Sequence, residues 1–133
     1  MMAQLSQQQT IEQQRAAKAW ELVNRVKQKA PKDQKDYDSW VKKVPVLIFT
    51  NGLGQTAAFL KSKKDEEKQL LYAHLSEWLT SQVAWSPQAQ QRADLIDRLI
   101  HESSQNYRRA TVEALAFLNW LKRFADALLE RGE

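Results

Sequence analysis

Three glycines and three prolines serve all 133 residues of this chain. An antiparallel sandwich or barrel needs a turn signal roughly every 8 to 12 residues, so these few helix-breakers leave no room for many strands. They suffice for a handful of long helices. A chain of this length fits one domain, residues 1–133, and the fold expected is all-α: a single compact bundle of five to six helices.

Periodicity and stop signals place the helices. Ile11, Ala16, Ala19, Trp20, Val23, Val26 and Ala30 recur every three to four residues, with Pro31 beyond, which predicts a helix over 10–29 after a frayed Gln-rich lead-in, 1–9. Tyr37, Trp40, Val41, Val44, Leu47 and Ile48 share a face of a second, over 36–50. Pro45 lies inside it, and a kink or an interruption is expected there. A third covers 54–62, and a fourth starts at the acidic run Asp65-Glu66-Glu67 and carries Leu70, Leu71, Leu75, Trp78 and Leu79. Ser86-Pro87 opens a fifth with Ala93, Ile96, Leu99 and Ile100 inward. The last helix, 104–131, is stopped by Gly132 and would be roughly 40 Å long. Its apolar arc covers about half the circumference, as befits the central helix of a bundle.

The stretch TNGLGQTAAFLKSK, residues 50–63, holds two of the three glycines. A Walker loop needs G-x-x-x-x-G-K-[ST] and a dinucleotide site G-x-G-x-x-G after a strand; here only G-x-G occurs, between helical patterns. Asn51 and Gly52 instead suit the left-handed end of a helix, and Gly54 lets the next helix start close to a neighbour.

The absence of cysteine excludes disulfides, thiolate nucleophiles and Cys-based zinc sites. His74 and His101 have no His or Cys nearby to complete a metal site, so neither metal nor cofactor is expected. Glu66, Glu67, Glu77, Asp94, Asp97 and Glu102 are spaced as on any helix surface, and no serine stands in a nucleophile elbow. Catalysis is not expected. No apolar run spans a bilayer and no basic-then-hydrophobic leader opens the chain, so a cytoplasmic protein with no membrane partner is expected.

Charge is divided unevenly. Residues 1–64 hold 12 Lys/Arg against 5 Asp/Glu, a balance of +7, and residues 65–133 hold 8 against 11, a balance of −3. Such a division suits a basic face for a polyanion and an acidic one for a basic neighbour, or simply a solvated surface. Tyr37 and Trp40 beside Lys42 and Lys43, and Tyr107 beside Arg108 and Arg109, add the aromatics that single-strand binding uses, although the same spacing also suits core residues. A free-standing DNA-binding regulator is the other reading. Residues Ser86–Arg92 are its partial candidate for a recognition helix.

Gln14-Arg15-Ala16-Ala17, the run Val44-Pro45-Val46-Leu47-Ile48 leading into TNGLGQTAAFLKSK, and the late block from Tyr107 through Ala125 (YRRATVEALAFLNWLKRFA) together resemble the small subunit of the type III-B CRISPR effector, the Cmr complex. The resemblance spans nearly the whole chain except about 85–105. It implies a non-catalytic helical subunit of a guide-RNA complex in antiviral defence, stacked in several copies beside the repeated backbone subunits, next to guide and target RNA, with no small-molecule substrate. On that reading Arg15, Lys18, Lys42, Lys43, Lys61, Lys63, Lys64, Arg108 and Arg109 supply RNA-facing charge. Asn51, Gly52, Gly54, Asn119, Trp120 and Arg123 would shape subunit contacts.

Overall fold

The computed structural model describes residues 9–132; most of the lead-in expected to fray therefore lies outside the described residues. Among the described residues seven helices follow one another: α1 (Ile11–Val26), α2 (Pro31–Asn51), α3 (Leu53–Ser62), α4 (Glu66–Gln82), α5 (Pro87–Gln90), α6 (Leu95–Ile100) and α7 (Ser104–Leu128). The long C-terminal helix α7 is central and packs against α1, α2 and α4. Its buried stripe is Ala110, Ala114, Phe117, Leu118, Leu121 and Ala125, and three alanines in it let neighbouring backbones come close.

Local chemistry sets the ends. Thr10 caps α1 in a reciprocal box: its hydroxyl accepts from Gln13 N (3.1 Å) while the Gln13 side chain accepts from Thr10 N (2.9 Å). The expected boundary near Lys29 moves to Val26, because Pro31 opens α2 instead of following α1. Proline suits the first helical position, where its missing N–H would have no partner in any case. Pro45 lies within α2 without dividing it.

A single residue, Gly52, joins α2 to α3. Its φ of 88° and ψ of 162° belong to a region open essentially to glycine alone. Gly54 N–H then donates to the Tyr107 hydroxyl of α7 at 2.7 Å, and a β-carbon on Gly54 would sit 3.0 Å from that oxygen. Gly52→Ala is expected to lower the unfolding free energy by about 1–3 kcal/mol, read from urea denaturation.

The expected fifth helix is two short ones. Asp94 caps α6 through Ile96 N (3.2 Å), and the Arg92 carbonyl accepts from Arg98 Nε (2.6 Å), so the stretch between α5 and α6 is held in a turn. Leu95 and Leu99 are buried there, while Ala93 and Ile100 are exposed, Ile100 at 69%. The last helix ends at Leu128, three residues earlier than expected. Gly132 packs against α2 and donates its N–H to the buried Asp38 carboxylate at 2.8 Å. No helix among the described residues is long and apolar enough to cross a membrane.

Candidate nucleic-acid interface

Folding cancels much of the charge division. Five basic residues of the first half pair with acidic residues of the second: Arg15 with Glu113, Lys18 with Glu77, Lys29 with Glu66 and Glu67, Lys42 with Asp126, and Lys61 with Asp94. Arg15 and Glu113 are both largely covered, each side chain 16% exposed. Arg15 Nε and Nη2 reach the two Glu113 oxygens at 2.6 and 2.8 Å, and Trp78 Nε1 donates to the same carboxylate at 2.8 Å, which joins α1, α4 and α7. Lys42 bridges Asp38 (2.9 Å) and Asp126 (3.1 Å). Hydrogen bonds from Lys61 and Tyr72 hold the Asp94 carboxyl below its ordinary range. Arg15, Lys18, Lys42 and Lys61 thus pair with carboxylates within the fold, Arg15 and Lys18 largely covered and Lys61 still half-exposed.

The other five candidates, Lys43, Lys63, Lys64, Arg108 and Arg109, form no ion pair among the described residues, and all are exposed; the Lys63 charge does help the Lys68 hydrogen bond hold the nearby Asp65 carboxyl below its ordinary range. They fall in two groups. Lys43 lies over Trp40 (4.7 Å) and Lys63 over Phe59 (4.9 Å), and the two rings are 5.9 Å apart, so helices α2 and α3 bring both ammonium groups to one aromatic pair. Lys68 also lies over Trp40, at 4.2 Å. The second group is a ridge on α7, where Arg108, Arg109, Val112, Asn119 and Arg123 are all exposed at helical spacing. A cavity of about 350 Å³ beside it is lined by Gln105, Arg108, Arg109, Val112 and Glu113. Tyr37 and Tyr107 are no stacking platforms: Tyr37 is fully buried and bonded to His74 (2.8 Å), and the Tyr107 hydroxyl holds Gly54.

A family model described as CRISPR-associated protein (Cas_Cmr5) matches residues 11–128, the span from the first residue of α1 to the last of α7. The chain belongs to the Cmr5 family. A relative from Thermus thermophilus, described as CRISPR system Cmr subunit Cmr5, is 33% identical over 96 residues, covering 71% of this chain and 76% of the relative. The crystal structure of a CRISPR-associated Cmr5 family protein from the same organism superposes with a TM-score of 0.74 at 30% identity, covering 91% of this chain and 98% of the other. The region without a signature in the sequence, about 85–105, thus lies inside the Cmr5 match, where α5 and α6 are short.

Within this Cmr5-family fold the residues expected to shape subunit contacts separate. Gly52 and Gly54 form the turn against Tyr107, and Trp120 is half-buried, its indole N–H donating to Glu12 at 2.8 Å and its ring 5.4 Å from Phe124. Asn51, Asn119 and Arg123 are exposed. Val46 and Phe49, which are not among the residues expected at an interface, expose 63% and 78% of their surface. The sequence carries a signal for them: once Val44 and Ile48 face inward, Val46 and Phe49 must lie on the opposite arc of the same helix.

The carboxylates screened for acid/base work are engaged. Glu66 and Glu67 face Lys29 (3.5 and 3.4 Å), Asp97 faces Arg92 (3.3 Å), and Glu102 accepts from Ser86 N (2.9 Å). Asp33, Glu66 and Glu67 bring oxygens within 4.8 Å of one another, and the Lys29 ammonium supplies countercharge to two of them. His74 is buried, and burial pushes its imidazole down to about 4.

Proposed function

We propose that the chain is a non-catalytic small subunit of a Cmr ribonucleoprotein effector in the cytoplasm, stacking with further copies of itself beside the backbone subunits and helping to hold target RNA in antiviral defence. Membership of the Cmr5 family supports a place in the complex. The observation that carries RNA contact is the set of exposed cations, Lys43, Lys63, Lys64, Arg108 and Arg109, that form no ion pair within the described fold. Exposed Val46 and Phe49, with Asn119 and Arg123, suit protein neighbours. The regulator reading loses its candidate: α5 is four residues long and Arg92 is paired with Asp97.

Changing Lys43, Lys63, Lys64, Arg108 and Arg109 together to Gln is expected to weaken target-RNA binding by the reconstituted complex. The slope of log affinity against log salt should flatten by about 0.7 for each phosphate that is no longer neutralised. Lys18→Gln and Lys61→Gln, which remove internal pairs, should leave that slope unchanged. An unchanged slope in the fivefold variant discards the RNA role of these cations.

A further inference from the structure

The groove between α2 and α3 is built from two ladders. Lys43, Leu47 and Asn51 recur every four residues on α2 and line one of its faces; Gln55 and Phe59 are four apart on α3, and Lys63 follows at its C-cap, over the Phe59 ring. The single-residue link at Gly52 folds α3 back along α2, and the Trp40–Phe59 contact shows the two helices still adjacent near the far end. Leu47, Asn51, Gln55, Thr56 and Phe59 line a cavity of about 300 Å³. Its lining brings together two exposed amides, a hydroxyl, an aliphatic chain and an aromatic ring, and the Lys43 and Lys63 ammonium groups lie over the adjoining Trp40–Phe59 ring pair.

This set of groups matches the chemistry of one nucleotide. A base stacks on an aromatic face and is recognised by groups that both donate and accept, which amides do; its phosphates need cations a turn or two away. The volume is at the low end of the range that holds a small ligand, room for one planar base. No acidic side chain lines the cavity, so nothing in it opposes a polyanion. We infer that the α2–α3 groove is a base-binding pocket for single-stranded RNA, with Phe59 as stacking surface, Asn51 and Gln55 at the base edge, and Lys43 and Lys63 on the flanking phosphates. This rests on the RNA-contacting role proposed above and assigns it a site.

The test is photocrosslinking in the reconstituted effector complex, using target RNA that carries 5-iodouridine, with crosslinked peptides mapped by mass spectrometry. The expected crosslink is at Phe59. Its yield should fall about tenfold in an Asn51→Ala, Gln55→Ala variant. Both residues are exposed, so the variant keeps its fold, checked by circular dichroism. Crosslinks confined to the Arg108–Val112 ridge, or a Phe59 yield unmoved by the two substitutions, overturn the pocket and leave the RNA role standing. Crosslinks nowhere on this chain overturn both. If the variant instead drops out of the complex while RNA binds normally to what remains, the groove is a protein seat and the inference falls.

Discussion

Glu113→Ala should lower the unfolding free energy by about 3 kcal/mol, because it strands an arginine that the fold has already taken from water. Arg15 and Glu113 side chains are each only 16% exposed, and Trp78, stacked on Phe117 with ring centroids 5.0 Å apart, loses the acceptor for its indole N–H in the same substitution. For a domain whose whole stability is about 5–15 kcal/mol, that is a large share, equivalent to a fall in melting temperature of about 10 °C. Glu113→Gln keeps the shape and an acceptor, so its cost should be smaller. Replacing Arg15 and Glu113 together should cost less than the two single changes added, since neither partner is then left alone. Thermal unfolding of the three variants decides the matter; a loss under about 1 kcal/mol for Glu113→Ala would show that the clamp is slack.

The same carboxylate gives an acid limb to stability. Burial pushes the Glu113 carboxyl up, but hydrogen bonds from Arg15 and Trp78 and the Arg15 charge outweigh it and hold it below its ordinary value. Its contribution is therefore complete above the unfolded carboxyl value of about 4.3 and is lost as pH falls through the lower, folded value.

His74 should dominate the range above that limb. Its ring is buried and its Nδ1 is hydrogen-bonded to the Tyr37 hydroxyl (2.8 Å), which burial keeps protonated by pushing the phenol far above its ordinary value. Desolvation lowers the imidazole to about 4; the Glu77 charge opposes this, while those of Arg25 and Lys18 assist it. The unfolded ring takes up a proton near 6.5 and the folded ring does not, so the unfolded state binds more protons as pH drops and stability falls with it. Between pH 7 and pH 5 the expected loss is about 2 kcal/mol. Measured by urea unfolding at several pH values, a His74→Gln variant should be destabilised at pH 7 yet show a much flatter dependence over that interval. A wild-type curve that is already flat there would mean the ring is protonated within the fold.

Much of the fold is legible in the sequence because helix-forming information is local. The capping residues Thr10 and Ser86, the apolar stripe of α7 and the turn at Gly52 are all written within a few residues of where they act. Sequence and structure part where a distant contact overrides a local pattern. Arg98 holds the Arg92 carbonyl and splits the expected fifth helix, Asp38 draws Gly132 away from a capping role, and Gln34 binds the Lys27 and Lys29 carbonyls (3.0 and 2.9 Å) where periodicity alone continues α1.

For the candidate interface the sequence determined the inventory: twelve cations in the first half, aromatics among them, and glycines in one conspicuous stretch. Only the tertiary structure decided which charges remain for another molecule. Charge is a sum over residues, readable without coordinates, but neutralisation depends on distances between side chains up to 98 positions apart, as between Arg15 and Glu113. By bringing α1, α2 and α3 against the acidic surfaces of α4, α6 and α7, the fold paired Arg15, Lys18, Lys42 and Lys61 with carboxylates and left Lys43, Lys63, Lys64, Arg108 and Arg109 exposed without an ion pair.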